Sequence, residues 1–81
     1  MNRVFILQRC VSHVYDRVRE CEHVFGSLSS LNAYVYAQWE RCKEENSTTT
    51  SFNPEMMKWR YKKEELDVNI EYTWKEVDFI P

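Results

Sequence analysis

The sequence has one glycine and two prolines in 81 residues. So little turn chemistry argues against a turn-rich β-sandwich, and 43 % apolar content argues against a disordered chain. With a single glycine the backbone has little freedom to close around a phosphate, which excludes glycine-rich nucleotide cradles. No stretch approaches the ~20 apolar residues that cross a bilayer. The opening run Val4-Phe5-Ile6-Leu7 stops after four residues, short of the ~7–15 of a secretory leader core. Positive charge is not in surplus either. A net charge of −2 gives no general pull toward nucleic acid. The three cysteines, Cys10, Cys21 and Cys42, are an odd number that suits free thiols better than a set of disulfide staples. These absences together point to a cytoplasmic protein, and Asn46-Ser47-Thr48 is then a chance match to a glycosylation acceptor.

What the chain does have is aromatic mass, 15 % of its residues. A domain this small buries only about 60–65 % of its unfolded surface. Large rings, at roughly 150–250 Å² each, compensate for few aliphatic residues. The length leaves room for one domain, 1–81.

Segment 3–12 reads as a first strand, apolar enough at Val4 to Leu7 to be buried on both faces or central in a sheet. The stretch 13–19 either continues it or forms a wide connection. Segment 20–28 reads as a second strand, with Cys21, His23 and Phe25 on one face and Glu22 and Val24 on the other. Gly26 is expected to end it at a backbone position that a Cβ would strain, or at a bulge. Ser29 is the expected N-cap of a helix running to about Glu45, because Leu31, Val35, Trp39 and Cys42 recur on one helical face. Segment 46–54 is polar and aperiodic, a flexible loop. Then 55–63 alternates Met57, Trp59 and Tyr61 with Lys58, Arg60 and Lys62. After a turn at 64–67, Val68, Ile70, Tyr72 and Trp74 alternate again, and 75–81 extends the strand or docks as a tail through Val77, Phe79 and Ile80. The order ββαββ predicts an α+β two-layer sandwich, an antiparallel sheet of about four strands on one main helix.

The block Val24-Phe25-Gly26-Ser27-Leu28-Ser29-Ser30-Leu31-Asn32-Ala33-Tyr34, with Asn69-Ile70-Glu71-Tyr72 as a closing strand, resembles a loose group of uncharacterised small α+β domains. Those run as strand, glycine, apolar step, serine cap and an Ala-bearing amphipathic helix. The resemblance implies the fold and brings no activity with it. The long Ser/Thr loop departs from the shorter connection expected.

Four clusters invite chemistry. Cys10, His13, Cys21 and His23 supply zinc-type donors, but an i, i+3 pair on a strand points to opposite faces and there is no C-x2-C knuckle, so half-buried thiols and surface imidazoles are the expectation. A thiol enzyme needs a base in direct contact, and residues i, i+2 on a strand lie ~6–7 Å apart. The carboxylates read as solvated surface, with no isolated pair. The basic strand 58–63 interleaves charge with Trp59 and Tyr61, yet alternation puts rings and charges on opposite faces, whereas a nucleic-acid stacking platform needs them together.

The aromatic set exceeds what one small core needs, and Tyr36 lies well round the helix from Leu31 and Val35. Exposed Tyr and Trp anchor interfaces. The sequence therefore predicts a non-enzymatic protein-interaction module, self-associating as a homodimer or binding another protein, through an aromatic patch or an edge strand. Tyr36, Trp59 and Trp74 are its expected contacts. No cofactor, metal, membrane or small-molecule substrate is expected. The alternative is a small nucleic-acid-binding regulator using strand 58–63.

Overall fold

Alternation along the first strand sends Phe5, Leu7 and Val11 to one side and Val4 and Ile6 to the other. In the computed structural model, which describes the backbone of residues 2–13 and 16–79 and the side chains of 3–13, 17–19 and 23–78, this segment is β1, Asn2–His13. It is followed by β2, Asp16–Phe25; α1, Leu28–Glu45; β3, Lys58–Lys63; and β4, Leu66–Phe79. The strands form one antiparallel sheet in the order β2-β1-β4-β3. With α1 packed on one face, this is the expected two-layer α+β arrangement. The ambiguous residues 14 and 15 and the tail residues 80 and 81 lie outside the described residues, as does the side chain of Phe79.

β1 and β4 are the long central pair, in register from Asn2↔Phe79 to Ser12↔Asn69. Their helix-side residues build the core. Leu7, Leu31, Val35 and Ile70 are fully enclosed, and Met57, Trp59, Val68 and Tyr72 complete the cluster. Each Leu, Ile or Val so buried stabilises the fold by about 1.5–3 kcal/mol. Trp39 and Cys42 carry the helical stripe on at half-burial.

Helix α1 begins earlier than its sequence suggests. Ser27, not Ser29, is the N-cap: it is extended at φ −148°, and its hydroxyl accepts from Ser30 N–H at 3.2 Å. Ser29 lies inside the first turn. Gly26 adopts no positive φ, and a Cβ there would meet nothing within 4 Å. Steric need for glycine does not end β2. The bulge instead falls within the β1–β2 pair, between Gln8↔Glu22 and Cys10↔Arg19.

β3 starts at Lys58 rather than at 55, because Asn53 folds the preceding residues into a turn. Its Oδ1 accepts from Glu55 and Met56 N–H, both at 3.1 Å, and its carbonyl accepts from Met57 N–H at 2.7 Å. Met57 thus enters the core from a turn with φ 51°, although it fits the alternating pattern. The β3–β4 hairpin closes on two residues, Glu64 and Glu65, at φ 52° and 69°. Both positions need the left-handed region in a type I′ turn.

Candidate functional site

The two edges of the sheet differ. β3 is lined along its outer side by the segment 46–53, which the sequence reads as a flexible loop. Thr50 N–H donates to Arg60 C=O at 2.8 Å, and Arg60 N–H donates back to the Thr50 hydroxyl at 3.1 Å. The Thr48 hydroxyl accepts from Lys62 N–H at 2.8 Å and donates to Lys62 C=O at 3.2 Å. Threonine suits this, since one hydroxyl both donates and accepts. Trp39 fastens the segment to the helix, its Nε1–H donating to Thr50 C=O at 3.0 Å. The β2 edge carries the bulge and the charged residues Arg17 and Arg19, both features that discourage strand addition. The hairpin edge is covered and the other edge is irregular.

The three expected contact residues separate. Trp59 is only 5 % exposed and belongs to the core, stacked on Tyr72 with ring centroids 5.8 Å apart. Alternation on a sheet that has one covered face turned it inward, so it offers no surface contact. Tyr36 is 50 % exposed on α1 and touches the rings of Trp39 and Phe52. Its hydroxyl is held above its ordinary pKa first by a hydrogen bond to Glu40, then by that carboxylate's charge, then by slight desolvation. Trp74 is 42 % exposed and packs edge-on against Phe5 at 5.7 Å. The structure does not bring Tyr36, Trp59 and Trp74 into one patch of mutual ring contacts.

The face of the sheet away from α1 is a different surface. At one end Val4 pairs with Val77, and Ile6 with Val24. Val24 is 64 % exposed and Val77 36 %. At the other end two rungs cross all four strands: Arg19–Cys10–Glu71–Lys58 and Arg17–Ser12–Asn69–Arg60. All of these residues but Arg19 line an open basin of about 440 Å³. Arg17 Nε donates to Cys10 Sγ at 3.2 Å, and this bond, with the sulfur's charge, holds the Arg17 pKa above its usual value. The basic row of β3 lies on this open face, while Trp59 and Tyr61 point to the helix, as alternation requires.

The cysteine and histidine set is divided by the pleat. Cys10 is on the open face beside Arg17. His23 is on the helix side, with its Nε2 3.2 Å from the Tyr34 hydroxyl and its ring against Phe25 and Tyr34. His13 is three residues along β1 from Cys10 and so on the opposite face; the Cys21 side chain lies outside the described residues. Among the described residues no cluster of three or more His, Cys, Asp or Glu can hold a metal ion. Likewise, no described helix is long and apolar enough to cross a membrane.

The aliphatic set Val4, Ile6, Val24 and Val77 was not singled out by sequence reasoning. Its trace was there: an unbroken apolar run at Val4 to Leu7 in a protein with a single helix means that one face of that run stays uncovered. Comparison with protein-family models, curated proteins and solved structures found no match to the chain.

Proposed function

We propose that this chain is a non-enzymatic protein-interaction module that self-associates through the open face of its sheet. The observation that supports this is the aliphatic cluster Val4, Ile6, Val24 and Val77, on the face that α1 does not cover. Two copies stacked sheet on sheet, ~10 Å apart, would enclose these side chains in a second core. A second copy is the fitting occupant because four aliphatic side chains adjoin here, with Lys75, the partner of Ile6 on the same face, able to lay its stem along them and keep its ammonium in water. Stacked about a two-fold axis through the aliphatic residues, the arginine- and lysine-rich ends of the two sheets would lie apart. The patch is small, and association itself costs roughly 4–15 kcal/mol, so the dimer is weak.

Sedimentation equilibrium over a wide concentration range tests this. Wild type dimerises at high concentration, whereas Val24→Lys stays monomeric with an unchanged far-UV spectrum. Wild type that remains monomeric throughout, or a Val24→Lys variant that dimerises equally, sinks the reading.

One observation favours a second reading. Lys58, Arg60 and Lys62 share the open face with Arg17 and Arg19, a cationic area that suits phosphate contact. Among the described residues no ring shares that face with it, so binding to a single-stranded oligonucleotide would be steeply salt-dependent and indifferent to sequence. Lys58→Glu with Lys62→Glu would abolish it.

A further inference from the structure

β3 runs out before β4 does. Their pairing spans Leu66 to Glu71 of β4, and one further bond, Tyr72 N–H to Met57 C=O at 3.0 Å, closes it. β4 continues to Phe79, paired on its other side with β1 as far as Asn2↔Phe79 with no shift in register. Past Tyr72 the strand therefore has β1 on one side and, among the described residues, no strand on the other. Backbone groups of successive residues in an antiparallel strand point to alternate sides. Tyr72 points its N–H away from β1, so Trp74, Glu76 and Asp78 do the same. Their N–H and C=O groups form an open edge below the covered hairpin. This stretch has no proline and no bulge, and Trp74 and Val77 stand exposed along it.

The charges on the edge bar one occupant, a second copy of the strand. Two-fold pairing of β4 with itself, centred on residues 75 to 78 in turn, sets Lys75 opposite Lys75, Glu76 opposite Glu76, Glu76 opposite Asp78, or Asp78 opposite Asp78. Like charges directly opposite are destabilising. Centred on Trp74, each strand instead runs into the other copy's Met57, which already holds Tyr72. A strand of opposite charge fits. Arg3 reaches over from β1 to Glu76 at 2.9 Å and to Asp78 at 3.5 Å. One guanidinium against two carboxylates leaves a negative charge on the helix side of the edge. Trp74 shares that side, edge-on to Phe5.

We propose that the edge 74–78 of β4 takes up an extended segment of another protein as an added antiparallel strand. That segment carries lysine or arginine opposite Glu76 and Asp78 and an apolar residue opposite Trp74. Backbone bonds to Trp74, Glu76 and Asp78 supply affinity, and the alternate side chains supply selectivity. This edge does not depend on stacking through the open face.

The test uses the intact protein and a synthetic peptide, Thr-Lys-Val-Lys-Thr-Val-Thr, acetylated and amidated at its ends. Its lysines are set opposite Asp78 and Glu76, and its second valine opposite Trp74. Amide exchange is followed by two-dimensional NMR in wild type and in Val24→Lys, so that face stacking and edge addition are read apart. The peptide slows exchange at Trp74, Glu76 and Asp78 by roughly tenfold or more, with saturation, and scarcely alters Lys75 and Val77, which face β1. N-methylation of the lysines and the second valine abolishes this, whereas N-methylation of the residues between them does not. Glu76→Gln weakens binding by about two- to fivefold. The proposal is overturned if exchange at the three amides does not slow up to the solubility limit of the peptide, or if the two N-methylated peptides bind alike. It is equally overturned if a peptide with glutamate in place of both lysines binds as well, or if the three amides are already protected in protein alone at high concentration.

Discussion

Thr50 holds Arg60 at both of its outward backbone groups, accepting from the N–H at 3.1 Å through its hydroxyl and donating its own N–H to the C=O at 2.8 Å. Thr48 holds Lys62 through a single hydroxyl that plays both roles. Between them they satisfy the outward side of β3. Replacing both threonines by valine keeps the shape and removes the hydroxyls. At ~0.5–1.5 kcal/mol per net hydrogen bond, the double variant, which removes three hydroxyl bonds, loses about 1.5–4.5 kcal/mol. It also exposes a strand edge, so it forms larger species on size-exclusion chromatography.

Trp39 ties that segment to the helix through its bond to Thr50 C=O. Trp39→Phe retains most of the ring contact with Phe52 and deletes the donor. The expected loss is about 1 kcal/mol, with faster amide exchange confined to 48–53 and β3. Uniformly faster exchange across the sheet would contradict a local fastening role.

Ile70 is 1 % exposed at the centre of the core. Ile70→Ala removes about 2–5 kcal/mol through lost burial and a residual cavity, a large share of the ~5–15 kcal/mol total of a small domain. Thermal unfolding should shift down by roughly 10–30 °C. Val24→Lys, on the open face, leaves the monomer's midpoint nearly unchanged.

Tyr36 should titrate late. Its phenol is held above 10.0 by the hydrogen bond to Glu40, by that carboxylate's charge and by slight desolvation. A proton held more tightly in the folded state contributes stability that is whole below the unfolded pKa and is lost as pH rises through the folded one. The Tyr36–Glu40 contribution therefore persists to about pH 10 and fades above it. Phenolate absorbance during alkaline titration should show a late phase that Tyr36→Phe abolishes and Glu40→Gln moves to lower pH.

Glu64 and Glu65 both occupy the left-handed region, at φ 52° and 69°. Asparagine followed by glycine suits these two positions far better. Glu64→Asn with Glu65→Gly should raise stability by about 1–2 kcal/mol, read from a higher urea midpoint at unchanged slope. A lower midpoint would mean that the glutamates make interactions worth more than the backbone strain.

Part of this was legible in the chain. The strand alternation from Trp59 to Trp74 is strict, so the hairpin and the division of its residues between two faces could be read directly. Sequence alone still allows Trp59 on a contact surface, because it shows alternation without showing which face the helix covers. The helix stripe is clear from the sequence, but the expected cap, Ser29, lies two residues past the observed one, Ser27, since Ser27, Ser29 and Ser30 are chemically alike and only backbone geometry selects among them.

By itself the sequence determined the element types, their order and the two-layer architecture, because these follow from hydrophobic period and local chain stiffness. It also set rings and charges on opposite faces of β3. The tertiary structure alone decided which edge is covered and which aliphatic residues stay exposed. Thr48 with Lys62 and Val24 with Ile6 are distant in sequence, and strand order and register bring them together. A one-residue slip in register would send each strand residue to the other face, which is why no local pattern could specify these pairs.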